Sequence, residues 1–312
     1  MPSTFPFEYS DSFTTNTLLR TEEQLKITGN NDPEILLIAR LLSGSIKLTH
    51  VATSKKILQK ENYFSSDFRG YSQNWSRDFM PLLADNYSAE QFSFYIDSTR
   101  HKNRKFYKNI LSELSYFFFY QKKEIHSNAF VFLYRALEHA SYAFPLIYVS
   151  KTDEFSKTYS FLKELMRGNK EAGELGFFKR FIKTVYNDDP IYESSVDFPI
   201  LLDTESDQNK AFNILKGLCK ENMLADSTES PRVLSIKYTE VGSFIITIRN
   251  RFFHYMNGGA NNIESSNIAD IDRLFSLINK KCMYWFATVF LAVMSHNVLE
   301  FEKIKALINR TD

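Results

Sequence analysis

Apolar positions recur at helical spacing over long stretches from about Arg104 onward: Phe106 to Tyr120, Ala129 to Tyr148, and Phe155 to Tyr186 with a break at Arg167-Gly168-Asn169. The same period predicts an earlier helix through Ile35, Leu36, Leu37, Ala39, Leu41 and Leu42, with Asp32 as cap and Pro33 in its first turn. A shorter helix is expected at about Asn209 to Asn222. Thr239-Glu240 can start another, which runs through Phe244, Ile245, Ile248, Phe252 and Tyr255 to a stop at Asn257-Gly258-Gly259. One or two more, from Asp270 to Leu307, complete the set. Asn187 to Asp207 and Asp226 to Pro231 read as exposed connections. The first thirty residues are polar without a sustained period, and residues 50 to 103 suggest short helices or turns. The pattern predicts an all-α fold: a helical bundle over residues 105–312 behind a mostly helical N-terminal accessory region, 1–104. Internal repeats and low-complexity tracts are not evident.

With 312 residues the chain can bury a core without staples, and only 10 Gly and 8 Pro interrupt it, which favours long helices over many short strands. Cys219 and Cys282 lack ligand-spaced neighbours, so neither a disulfide framework nor a zinc cluster is expected, and a reducing cytoplasm fits. Lys plus Arg number 38 against 37 Asp plus Glu, so any RNA contact must come from a local patch. Met1-Pro2-Ser3-Thr4-Phe5 does not resemble a signal peptide. The longest apolar run, Met283 to Met294, is short for a bilayer and reads as a buried core helix, so no membrane partner is expected.

Candidate chemistry concentrates at Arg249, Asn250 and His254. Helical spacing puts Asn250 one turn before His254 on the same face, with Arg249 rotated away. Histidine exchanges protons near neutral pH, arginine holds phosphate oxygens in a planar fork, and asparagine can orient either. These groups suit RNA cleavage by the substrate's own 2′-hydroxyl, which needs a base, an acid and positive charge at phosphorus but no metal or other cofactor. One such histidine per chain leaves one proton-transfer role unfilled, and a two-fold homodimer with facing motifs would supply it. The alternative is an arginine and a histidine that merely share a helix. Against it, polar groups in so apolar a segment are costly unless paired or exposed at an interface.

The run Arg249-Asn250-Arg251-Phe252-Phe253-His254 resembles the Arg-polar-x3-His signature of HEPN ribonucleases, found in abortive-infection proteins, toxin modules and CRISPR-associated RNases. Phe132 to Tyr142 is similar to an early bundle helix of HEPN proteins from bacterial antiphage defence. The resemblance covers roughly residues 105 to 310. It implies a HEPN-like helical bundle, dimerisation with a composite active site, and metal-independent endoribonuclease activity. Arg249 and His254 would be catalytic and Asn250 would orient them, while Arg251 stands at a family-variable position.

Within the second segment Arg135, Glu138 and His139 lie one turn apart, as a supporting carboxylate with phosphate contacts or as a surface ion pair. The basic run through Arg100, Lys102, Arg104 and Lys105 either tracks an RNA backbone or is a solvated helix start. His50, His126 and His296 lack metal-ligand spacing and receive no role. The function expected is a defence or toxin endoribonuclease kept silent by a regulatory partner or trigger. The competing reading is a non-catalytic module of the same fold that binds a nucleotide or a protein.

Overall fold

The computed structural model describes residues 5–12, 23–71, 75–150, 155–166, 173–186, 189–254, 262–268 and 270–309. The chain opens with strand β1 (Phe7–Asp11), helix α1 (Glu34–Leu42) and the hairpin β2 (Ile46–His50) and β3 (Lys55–Gln59). β2 is central in an antiparallel sheet, with Phe7 opposite His50 on one side and Ile46 opposite Gln59 on the other. Alternation sorts its faces: Phe7, Tyr9, Ile46, Leu48 and Ile57 are buried, whereas Glu8, Lys56 and Leu58 point outward. The α1–β2 turn needs glycine at Gly44, where φ is +72° and a Cβ would fall 2.5 Å from the Lys60 carbonyl carbon. Asp32 does not cap α1. Its carboxylate accepts the Thr28 and Gly29 amides instead, and Pro33 occupies the cap position without a side-chain bond.

The helices follow as α2 (Trp75–Phe79), α3 (Ala89–Thr99), α4 (Arg104–Lys122), α5 (His126–Val149), α6 (Phe155–Met166) and α7 (Gly173–Val185). Then come β4 (Ser195–Pro199), α8 (Glu205–Gly217), β5 (Leu224–Glu229), β6 (Arg232–Lys237), α9 (Val241–Phe252) and α10 (Ile271–Ile308). A second antiparallel sheet has the order β4-β6-β5.

The all-α expectation is therefore wrong: the fold is mixed α/β, with two three-stranded antiparallel sheets beside the helices. The N-terminal region expected to be mostly helical holds β1, β2 and β3, and the stretches read as exposed connections contain β4 and most of β5. Each strand has only five or six residues, too few for period-two alternation to stand out, and β5 is polar throughout except Leu224 and Ala225. The predicted helices are present with shifted ends, and the Asp270 to Leu307 region is a single helix of 38 residues. The breaks expected at Arg167-Gly168-Asn169 and at Asn257-Gly258-Gly259 lie outside the described residues.

The core joins both sides of position 104: Phe7, Leu41 and Trp75 belong to the same buried cluster as Leu114, Leu133 and Trp285. Arg40 lies fully inside it, donating to Ser45 Oγ and to the Leu25 and Ser45 carbonyls at 2.8 Å, and pairing with Asp11. α4 and α5 form an antiparallel hairpin, and α10 packs along α5. By length and composition α10 is apolar enough to cross a membrane; here 61% of its most apolar stretch is buried inside the protein. It reaches back to the N-terminal part through Lys280, paired with Glu61, and Ser295, which donates to the Leu83 carbonyl.

Candidate active site

α9 is held on its inner face by Phe244, Ile245 and Ile248, all essentially inaccessible. Gly242 permits the close approach to α10, because a Cβ there would meet the Trp285 ring at 2.9 Å. The end of α9 is fixed by rings: Phe252 and Phe253 lie 4.9 and 5.9 Å from Phe275 of α10, and Phe253 stacks on Phe130 of α5 at 7°. The returning chain adds a backbone bond from the Ile263 amide to the Arg251 carbonyl. His254 follows this anchored end directly and is exposed.

Between α5 and α9 lies a groove of about 200 Å³, into which Arg135 and Glu138 come from α5 and Arg249 and His254 from α9. Phe130, Val131, Tyr134 and Phe253 complete it. The Arg249 guanidinium lies 4.8 Å above the Tyr134 ring and donates to Asn250 Oδ1 at 2.9 Å. Two contacts thus fix its plane, and among the described residues its other N–H donors are left for a ligand. Burial raises the Tyr134 hydroxyl to about 12, helped by its hydrogen bond to Glu138 and that carboxylate's charge, and opposed by Arg249. Tyr134 therefore stays protonated and donates to Glu138.

Of the residues singled out in the sequence, Arg249, His254, Arg135 and Glu138 meet in one place. The expected facing is reversed for two of them: Arg249 shares the groove with His254, and Asn250 lies outside it, accepting a hydrogen bond from Arg249. The cause is local. α9 ends at Phe252, so His254 stands past the last helical residue and the 100° step no longer predicts its direction. Arg251 is half-buried and contributes its carbonyl to the Ile263 bond.

His139 does not line the groove; its Nε2 lies 3.9 Å from Glu113 Oε1 on α4. Glu113 also takes Arg135 at 2.8 Å, and its Oε2 is buried without a hydrogen-bond partner among the described residues. This carboxylate was missed in the sequence, although a lone acid between Leu111 and Leu114 on an apolar helix face was a signal for it. Arg100, Lys102, Arg104 and Lys105 sit apart at the start of α4, Arg104 paired with Glu34 at 3.0 Å and Arg100 on the Asn31 carbonyl. Nine residues of helix, about 13 Å, separate Arg104 from the level of Glu113 and Arg135. Among the described residues no group of three or more His, Cys, Asp or Glu is placed to hold a metal ion.

A roomier cavity, about 520 Å³, lies between α8 and the start of α10 and shares no residue with the groove. Its walls are aliphatic at Leu202, Ile214 and Leu274 with an Asp203–Arg273 pair at the rim, and it brings in no histidine, so size alone does not make it the reactive site. No family model, curated protein or solved structure matches this chain.

Proposed function

We propose that the chain is a metal-independent endoribonuclease that cleaves RNA by attack of the substrate 2′-hydroxyl on the adjacent phosphate. The reading rests on one observation: the two segments that resemble HEPN ribonucleases, separated by more than a hundred residues in sequence, bring Arg135, Glu138, Arg249 and His254 to one groove. Arg249 binds the non-bridging phosphate oxygens as charge builds on phosphorus, and Asn250 holds its guanidinium in plane. His254 transfers the proton, taking it from the 2′-hydroxyl or giving it to the departing 5′-oxygen. The products are a 2′,3′-cyclic phosphate and a 5′-hydroxyl end. Arg135, held by Glu113, adds a second cation for the neighbouring phosphate, and Glu138 with Tyr134 orders the groove wall. The second proton-transfer group comes from another copy of the chain across a two-fold axis. Cutting cytoplasmic RNA would suit a role in antiviral defence or as a toxin.

The test is cleavage of total RNA and of defined single strands by purified protein with chelator present. The proposal expects fragments ending in cyclic phosphate from wild type and none from His254→Ala. Equal products from both proteins, or loss of all cutting on chelation, would overturn it.

A further inference from the structure

The two edges of the N-terminal sheet are treated differently. At β1 a side chain takes the place of a neighbouring strand: Asn30 Oδ1 accepts the Tyr9 amide at 3.1 Å and its Nδ2 donates to the Phe7 carbonyl at 3.0 Å. At β3 nothing does this. Among the described residues the backbone of Lys55–Gln59 is paired with β2 alone. Beside it runs an open groove of about 420 Å³, with the consecutive residues 57 to 61 as one wall and Phe118 and Lys122 of α4 and Lys280 of α10 as the other. A free strand edge facing a helix across an apolar trough is the arrangement in which an extended peptide adds as a further strand.

Charge selects the occupant. Among the described residues Lys60 and Lys122 line the groove unpaired, and its one carboxylate, Glu61, is engaged by Lys280. A second copy of this chain is a poor fit, because its own β3, Lys55–Gln59, carries two lysines and no carboxylate to meet Lys60 and Lys122. The same lysines favour a strand carrying carboxylates. We propose that the β3 edge is a docking site for an extended acidic peptide segment of a partner protein, alternating apolar and acidic residues, which adds as a fourth strand. Its apolar residues would enter the trough over Ile57 and Phe118, and its carboxylates would meet Lys60 and Lys122. The length of β3 limits the paired segment to about five residues, or about 17 Å. The proposal does not depend on the ribonuclease reading and shares no residue with that groove.

The experiment uses the full chain and an array of fluorescent, acetylated heptapeptides alternating Asp or Glu with Val or Ile, read by polarisation. Three controls accompany it: lysine counterparts, copies methylated at alternate backbone amides, and a labelled uridine oligomer. The expected result is binding by acidic members of the array, at least tenfold weaker for lysine counterparts and methylated copies. Lys60→Glu with Lys122→Glu, both exposed and checked for folding by circular dichroism, should weaken acidic peptides tenfold or more and improve lysine peptides. The proposal is overturned if no acidic peptide outbinds its lysine counterpart, if methylation is without effect, or if the uridine oligomer alone binds and is lost in the lysine variants.

Discussion

Replacing Arg249 separates its contribution to the fold from the phosphate contact proposed for it. Among the described residues the side chain makes one hydrogen bond, to Asn250, and one ring contact, to Tyr134. These contribute about 0.5–1.5 and about 0.5–1 kcal/mol. Arg249→Ala should therefore cost roughly 1–2.5 kcal/mol of stability and leave the native far-UV spectrum, since Phe252, Phe253 and Ile248 still anchor α9. On a phosphate in the transition state, two charge-assisted bonds at about 1.5–3 kcal/mol each predict a cleavage rate hundredfold to ten-thousandfold lower. Arg249→Lys retains the charge but loses the fork and much of the stacking, so it should fall between, about ten- to a hundredfold down. Single-turnover cleavage of a labelled RNA with chelator present, beside urea melts of the same preparations, reads both effects. A rate within threefold of wild type for the alanine variant, with the fold intact, would refute Arg249 as the phosphate ligand.

Three further substitutions test the scaffold. Gly44→Ala should cost about 3 kcal/mol or more in urea unfolding, because φ is +72° and the new methyl would sit 2.5–2.6 Å from the Lys60 and Glu61 backbone, whereas Gly217→Ala, with nothing within 4 Å, should be neutral or stabilising by up to about 1 kcal/mol. Equal effects would refute the steric argument. Glu240 is buried, which pulls its pKa up, but ion pairs with Lys179 at 2.6 Å and Lys183 at 3.1 Å outweigh burial and hold it below the usual value. Its contribution is then complete above the unfolded-state pKa of about 4.3 and disappears as pH falls through the lower folded-state value. Wild type should lose more stability than Glu240→Gln between about pH 5 and about pH 3, and parallel acid slopes in chemical melts would show the pair to be inert.

Long periodic segments made α4, α5, α9 and α10 readable in the sequence, because each needs an apolar stripe several turns long to pack. The strands escaped for a physical reason. Strand β1 reads Phe-Glu-Tyr-Ser-Asp, a single alternation inside a polar head, and β5, an edge strand, has Asp, Ser and Thr where a turn would have them too. In the groove, the residue types were legible and the facing was not. Arg249 and His254 were singled out by their chemistry, but only the end of α9 at Phe252 reveals that they, rather than Asn250 and His254, share the groove. Glu113 could not be assigned without knowing that α4 and α5 run antiparallel, which sets it against Arg135 and His139.

The long helix α10 also bears on how the chain comes to be made. The helices and strands it packs against, α3, α5, α9 and β4, precede it, as do Glu61 and Leu83. During synthesis those elements emerge with their central support absent, so a large apolar surface stays uncovered until about residue 300 has left the ribosome. Phe275, which holds the rings at the end of α9, belongs to that late segment. The groove therefore assembles only when α10 has docked, and a nascent chain stopped short of it carries Arg249 and His254 without the frame that aims them.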